Sequence, residues 1–510
     1  MAGVKVYLVG AGPGDAELIT LKGVRALKRA DCVIYDFLSN ESLLSHVKAK
    51  AETIYVGKKG AFRHVTQGEI NELILKKAKA GKVVVRLKGG DPFIYGRGGE
   101  EALALVNAGL SFEIIPGVSS AVAAPAFAGI PLTHRGVAST VTFLTGHESQ
   151  FKKSSKVEWE KLATSGGTLV ILMGWKKLAL TVKRLSDGGM NQKTPVAIIR
   201  WGSTSKQKTI TGTLKTIVAL VKEHAMKPPI ITVIGNVVTL REKLKWFDSR
   251  PLFGKKILVT RTAKQAGTFS SKLTEMGAEV VSLPVIKTIN PPSFAKLDKG
   301  IKNLETYDWA IFTSVNGVEY FFSRLYKLGL DIRALKGVKI CVVGSATEQA
   351  IKNRGIQVDL VPKKFVAEGI LKALGKNGIK GNRFLLPRAL KAREILPDEI
   401  RRLGGMIDVA PAYKTIRVAK TGSEILSLLK KGKLDVITFT SASTVKNFLS
   451  FFKKNEVSKL TSNVIIACIG PVTKQMAIDN GLKVDIMPSR YTIPAFAEAM
   501  ENFFSADKNS

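Results

Sequence analysis

The stretch VVRLKGGDPFIYGRGGEEAL, residues 84–103, runs from an apolar, β-branched segment through a glycine-rich turn into a helical pattern. A strand that hands a glycine loop to the start of a helix is the repeating unit of a parallel α/β sheet, and such loops usually cradle phosphate. This one carries Asp91, which would repel phosphate, and Pro92, which removes a backbone donor. The Gly-Lys-Ser/Thr ending of a P-loop is missing. A second loop, GAGPGD (10–15), repeats the pattern. Its glycines are Gly10, Gly12 and Gly14, so the spacing of a dinucleotide turn fails, and Pro13 and Asp15 again disfavour a pyrophosphate. Three readings stay open for it: a dinucleotide, a purely structural turn, or a nucleoside cofactor without phosphate.

Working outward, VKVYLVG (4–10), DCVIYDFL (31–38), KVVVRLKG (82–89) and LSFEIIPGV (110–118) read as strands separated by helical patterns such as ITLKGVRALKRA (19–30). Further strands are expected around 139–146, 167–174, 194–202 and 229–238, with PLTHRG (131–136) as a hinge between two lobes. This alternation predicts an α/β protein with mostly parallel sheets covered on both faces. At 510 residues the chain exceeds one ordinary core of roughly 100–200 residues, and the polar stretch after Trp246 marks the main boundary. We therefore expect domains at 1–246 (lobes about 1–132 and 133–246) and 255–503, joined by a linker at 247–254.

The second half repeats itself. KKILVTR (255–261) matches NRFLLPR (382–388), LPVIKTI (283–289) matches APAYKTI (410–416), and YDWAIFTSVNGVEYFF (307–322) matches LDVITFTSASTVKNFL (434–449). A fourth pair, 339–362 with 465–488, follows at nearly the same offset. A duplicated α/β unit forms two similar lobes facing a cleft, with hydroxyls at the carboxyl ends of strands, where open parallel sheets bind ligands.

Composition narrows the class. No apolar run approaches the roughly 20 residues needed to span a bilayer, and the N-terminus lacks a secretory signal, so a cytoplasmic protein is expected. Cys32, Cys341 and Cys468 lie far apart in apolar contexts and read as buried thiols, with no disulfide framework and no metal site. A formal charge of +37 has three available causes: nucleic acid, a polyanionic small substrate, or a compositional bias of the source. The basic residues are scattered, and neither a zinc-finger spacing nor an RNP-like aromatic motif is present, so nucleic acid is not the expected partner. For the glycine loops, a ligand with ribose, ammonium and sulfonium groups and no phosphate suits best. Gly89 and Gly90 permit close backbone approach and Asp91 can accept from hydroxyl or ammonium groups, which points to S-adenosylmethionine.

These residues resemble a known family. VYLVGAGPGDAELITLKG (6–23), DCVIYDFLSN (31–40), YVGKKG…HVTQGEIN (55–71), VVRLKGGDPFIYGRGGEEA (84–102), IIPGVSSAVAAPAFAGIPLTHR (114–135) and LMGW (172–175) closely resemble the uroporphyrinogen-III C-methyltransferases. The resemblance implies a two-lobed class III methyltransferase fold and methylation of uroporphyrinogen III to precorrin-2, the branch-point to sirohaem and cobalamin. It implies that Pro13, Gly89, Gly90, Asp91 and Ile94 contact S-adenosylmethionine, with Ser119, Ser120, Met173 and Gly202 completing the pocket. Asp36 matches the family's proton acceptor and Lys58 its proton donor. Read without the family, Asp36 is equally a strand-end turn former and Lys58 a solvated surface lysine. The family also implies a homodimer.

Residues 255 to about 503 resemble uroporphyrinogen-III synthase through ILVTR, FTSVNGV, VGSAT, LLPR, AYKT, FTSAS, IGPVT and YTIPAF. That resemblance implies two lobes, about 255–287 with 418–503 and 288–417, joined by a pair of extended strands. It implies cofactor-free closure of hydroxymethylbilane to uroporphyrinogen III with inversion of ring D. Tyr413 is the first candidate to assist departure of water. Thr313, Ser314, Ser441 and Thr473 are candidates to bond carboxylates or pyrroles, or else simply to satisfy strand-end backbone groups. Both tetrapyrrole substrates are polycarboxylates, which gives part of the charge a use, and Lys88, Arg97, Arg135, Arg261 and Arg388 are the basic residues expected to meet them.

Overall fold

The computed structural model describes residues 5–57, 65–146, 157–260, 263–283, 285–363, 366–375, 378–453 and 456–509. Lys58 and Arg261 lie outside the described residues. The chain divides into two compact units, one of Met1–Lys256 with Ser271–Val280 and Met500–Ser510, the other of Ile257–Ser270 with Val281–Ala499.

In the first unit, β1 (Val6–Gly10), β2 (Cys32–Tyr35), β3 (Glu52–Tyr55), β4 (Val84–Lys88) and β5 (Phe112–Ile115) form a parallel sheet in the order β3-β2-β4-β1-β5. Strand β4 lies inside the sheet with all five residues buried, the charged Arg86 and Lys88 among them. The helices α1 (Leu21–Arg29), α2 (Gln67–Lys79), α3 (Gly98–Asn107) and α4 (Ser120–Phe127) accompany it. Thr20 caps α1, a Thr66/Glu69 capping box opens α2 and Ser119 caps α4, each satisfying a first-turn N–H. The short edge strand β3 is not among the strands expected from the sequence, because Glu52 and Thr53 break its apolar pattern and it is only half-buried.

The second sheet corrects the expectation of mostly parallel pairing. β6 (Val141–Thr145), β7 (Thr168–Leu172), β8 (Pro195–Arg200), β9 (Lys208–Thr213) and β10 (Ile230–Ile234) take the order β6-β7-β10-β8-β9. Only β6 and β7 run parallel; β10 is antiparallel to β7 and β8, and β9 to β8. The link between β8 and β9 is too short for a helical crossover, so the two close as a hairpin. The segment 247–254 is packed rather than a free tether. Leu252 is fully buried, Phe247 stacks edge-on against Phe127 at 4.8 Å, and the Arg250 guanidinium lies 4.7 Å from the Trp246 ring centre.

The later strands are β11 (Lys256–Val259), β12 (Glu279–Ser282), β13 (Ile286–Ile289), β14 (Trp309–Phe312), β15 (Lys339–Val342), β16 (Arg383–Ala389), β17 (Met406–Arg417), β18 (Val436–Phe439) and β19 (Ile465–Cys468). They form two sheets, β12-β11-β18-β19 and β13-β17-β16-β14-β15. Under the repeat offset, β11 corresponds to β16, β12 to β17, β18 to β14 and β19 to β15, so the two sheets have the same core order. The paired KTI blocks meet each other, β13 running antiparallel to the end of β17 with Thr288 opposite Thr415. Equivalent details recur: Asp359 accepts from the Ile340 N–H at 2.7 Å and Asp485 from the Ile466 N–H at 2.9 Å. Asp359→Ala and Asp485→Ala should each cost about 1 kcal/mol in urea denaturation. Equal losses are expected from the duplication; a loss confined to one site would show that the two lobes use these carboxylates differently.

Candidate active sites

The first site is built where β1, β2, β4 and β5 end. Gly12 and Gly90 exchange two backbone hydrogen bonds, of 3.2 and 2.9 Å, tying the two glycine loops together. A Cβ on Gly117 would stand 2.3 Å from the Gly90 carbonyl oxygen and 2.7 Å from the Gly10 Cα, so three strand ends approach at a distance only glycine permits. Asp91 sits beneath this contact. Its Oδ1 accepts from the N–H groups of Phe93 (2.7 Å) and Ile94 (3.2 Å), and its Oδ2 from Gly117 (3.0 Å). Both oxygens face backbone and the residue is 9% exposed, so Asp91 fastens the loops.

The second lobe of the unit comes in at its own strand ends. Ser203 donates to the Pro13 carbonyl and the Tyr95 hydroxyl to the Phe143 carbonyl (2.9 Å), while the Phe37 and Trp201 rings meet edge-on at 5.9 Å. Tyr95, Arg97, Met173, Trp201 and Ser203 all have positive φ between 49° and 65°. Among the described residues only Ala225 of the other non-glycine residues does so. Each such residue stores on the order of 1–3 kcal/mol, and this strain gathers on the loops around one cleft, as it does at ligand sites. Phe93, Ile94 and Met173 are exposed there, Ser119 is buried as the α4 cap, Ser120 is half-buried, and Gly202 packs so that a Cβ would lie 2.5 Å from that of Ala124. The Gly90 Cβ position is 3.6 Å from the Ser120 nitrogen, which places these two expected cofactor positions side by side.

Below the cleft lies a charged cluster that sequence reasoning missed in part. Asp36 accepts from the Leu38 N–H (3.1 Å) and pairs with the Arg86 guanidinium (3.1 Å). Arg86, 3% exposed, also pairs with Glu101 (3.1 Å) and donates to the Ile34 and Leu87 carbonyls. One Glu101 oxygen accepts in addition from Lys88 (2.8 Å) and Gln67 (3.1 Å), while the other is buried without a partner. Burial, reinforced by Arg86, pushes the Lys88 ammonium below its ordinary pKa. Lys88 was expected to greet substrate carboxylates; it is instead internal, because Glu101 holds it. The signal was present: two cations alternate on one face of a buried strand, and Glu101 occupies a core-facing position of α3. Arg97 and Arg135 are exposed, Arg97 in an ion pair with Glu100 (2.6 Å).

In the second unit the Tyr413 hydroxyl lies 3.1 Å from the Ser314 hydroxyl, and its ring stacks on Tyr320 at 5.5 Å. Tyr413 is not at the end of its strand but within β17, where β17 leaves β16 and takes up β13. Burial holds its phenol above the ordinary pKa. Ser314 caps α5 (Val315–Lys327) through the Gly317 N–H (3.0 Å), and Ser441 caps the helix Ala442–Leu449 through Thr444 (3.3 Å). The backbone-satisfying role therefore holds for both serines. Thr313 is half-buried after β14 and Thr473 is 5% exposed inside its helix, which removes it from an open cleft. Arg388 is also buried, paired with Glu394.

Comparison with known proteins adds the chemistry. The family described as Tetrapyrrole (Corrin/Porphyrin) Methylases matches residues 5–218, and that described as Uroporphyrinogen-III synthase HemD matches 267–498. A porphyrin biosynthesis protein HemD of Ruminiclostridium josui is 38% identical over 97% of both chains. A Methanosarcina barkeri S-adenosyl-L-methionine-dependent uroporphyrinogen III methyltransferase is 51% identical over 47% of this chain and 94% of its own. The solved uroporphyrin-III C-methyltransferase of Thermus thermophilus, complexed with S-adenyl homocysteine, is 38% identical, with TM-score 0.40, over 46% of this chain and 99% of its own.

The loop-fastening role makes a specific demand. Asp91→Ala orphans three N–H groups and should lower the stability of the ligand-free protein by about 1–3 kcal/mol in thermal or urea unfolding. Unchanged ligand-free stability, with only ligand affinity lost, would restore Asp91 as a contact residue.

Proposed function

This chain belongs to the family of fused tetrapyrrole methylases and uroporphyrinogen-III synthases, and we propose from that premise that it closes hydroxymethylbilane to uroporphyrinogen III and then methylates the product to precorrin-2. The supporting observation is that each half carries its own polar centre, Asp36 with Arg86 in one and Tyr413 with Ser314 in the other. S-adenosylmethionine supplies the methyl group. The close approach of Gly10, Gly90 and Gly117 backbone, with Ser120 beside Gly90, fits a ligand that packs against bare backbone.

Pro13, Gly89, Gly90, Ile94, Ser119, Ser120, Met173 and Gly202 hold that cofactor, with Asp91 fixing the loop that presents Ile94. Alignment by such a rigid cleft can lower a barrier by on the order of 7–11 kcal/mol. Asp36, half-buried and fixed by Arg86, takes up the proton or steadies the positive charge that develops on a pyrrole nitrogen as its ring carbon is methylated. Lys58 serves as donor by family resemblance. Arg97 and Arg135 are exposed cations for substrate carboxylates. In the other half, Tyr413 remains a neutral phenol at cellular pH because burial raises its pKa, so it can donate to the departing hydroxyl of the bilane. That reaction needs no cofactor. Among the described residues no helix is long and apolar enough to cross a membrane. Three free, buried cysteines support a reducing, cytoplasmic setting. Exposed Leu103 and Val106 on α3 support pairing of two copies through the first half.

The two activities should separate by substitution. Asp36→Asn should depress methylation on the order of 10²-fold with ring closure intact. Because Asp36 also balances Arg86, its stability must be measured alongside; the loss should stay below the roughly 3–5 kcal/mol of a fully buried broken pair. Tyr413→Phe should slow ring closure by a similar factor and spare methylation. Since the phenol stays protonated below its raised pKa, that deficit should be constant from acidic pH up to the ordinary phenol range. Equal loss of both activities in either variant would contradict the assignment.

A further inference from the structure

Arg388, the last residue but one of β16, has 7% of its surface exposed, yet it is not idle. One terminal nitrogen donates to the Arg393 carbonyl at 2.8 Å, the other meets Glu394, and Nε is buried without a partner. Between these anchors residues 390–394 are exposed throughout, and they lead into the helix α6 (Ile395–Arg402), whose first turn has no side-chain cap. The start of the turn is fastened as well: the Leu390 N–H donates to the Tyr413 carbonyl at 2.8 Å, beside the Ala389 and Tyr413 pairing. An exposed turn gripped at one end by a buried guanidinium and at the other by the backbone of Tyr413 is held far more firmly than its exposure requires. What it holds out is Lys391 and Arg393, whose side chains have no partner among the described residues. The positive end of the α6 dipole lies in the same place.

We propose that Lys391 and Arg393 are a grip for carboxylates of the linear tetrapyrrole beside Tyr413, and that Arg388 is the positioning residue that holds them there. The inference rests on the synthase reading of this half and extends it to substrate placement. The bonds of the buried Arg388 to residues 393 and 394 account for an arginine near the end of β16, and the free cations explain what its burial secures. A flexible bilane must be folded before its ends can meet, and cations fixed next to the reacting hydroxymethyl end favour the folded form.

Steady-state ring closure by the full-length chain tests this. Lys391→Ala and Arg393→Ala should each raise KM for hydroxymethylbilane about 2–5-fold, as expected for exposed ion pairs. kcat and the thermal midpoint should hold, and the effect should shrink as salt is added. Arg388→Gln should raise KM as much as the two alanine changes together, and combining all three should add nothing further. If Arg388→Gln does not fold, the alanine pair decides alone. An unchanged KM in that pair, or a fall in kcat instead, would overturn the grip. Absence of type III product from the unsubstituted chain would overturn the synthase reading itself, a distinguishable failure.

Discussion

An open parallel sheet leaves unpaired backbone groups where its strands end, and both halves of this protein depend on how those groups are satisfied. At the end of β4 the answer is a carboxylate turned inward: Asp91 takes three N–H groups from two loops and lets three glycines bring β1, β4 and β5 together. At the ends of β14 and β18 the answer is a serine that caps the next helix. Where side chains do this work for the backbone, the space in front of the sheet is left open and shaped. Ligand sites at this edge are a consequence of that arrangement.

Charge is handled in two ways. Asp36, Arg86, Glu101 and Lys88 form a balanced cluster of two anions and two cations, three of them buried. Removing any one leaves an uncompensated charge, so the cluster fixes Asp36 in orientation as well as in place. The surplus behind the +37 is largely at the surface and acts over longer range, where a basic cleft raises encounter rates with polyanions by roughly 10–10³. Buried and exposed cations in one short motif thus have opposite roles, and only burial distinguishes them.

Much of this was legible in the sequence. The strand and loop pattern around residues 84–103 identified the sheet, and the constant repeat offset anticipated two sheets of identical core order. The bonds that Asp91 makes to three backbone N–H groups were not legible, because one of them comes from the loop after β5, far along the chain. What could not be read was pairing that depends on chain reversal, such as the antiparallel β8 and β9, since a strand's direction is not encoded in its own residues. Burial of Lys88 was signalled by its alternation with Arg86 on an internal strand, whereas that of Arg388 was not, because its partner Glu394 is set by how a turn folds back. The mid-strand position of Tyr413 was not legible, because β17 changes neighbours without any break in its pattern.

One chain carries both reactions. The most direct measurement gives the purified full-length protein hydroxymethylbilane with and without S-adenosylmethionine and resolves the products by isomer and by methylation. Type III uroporphyrinogen is expected without the cofactor, in excess over the spontaneous type I isomer, and dimethylated product with it. Accumulation of type I alone, or type III that is never methylated, would contradict this expectation.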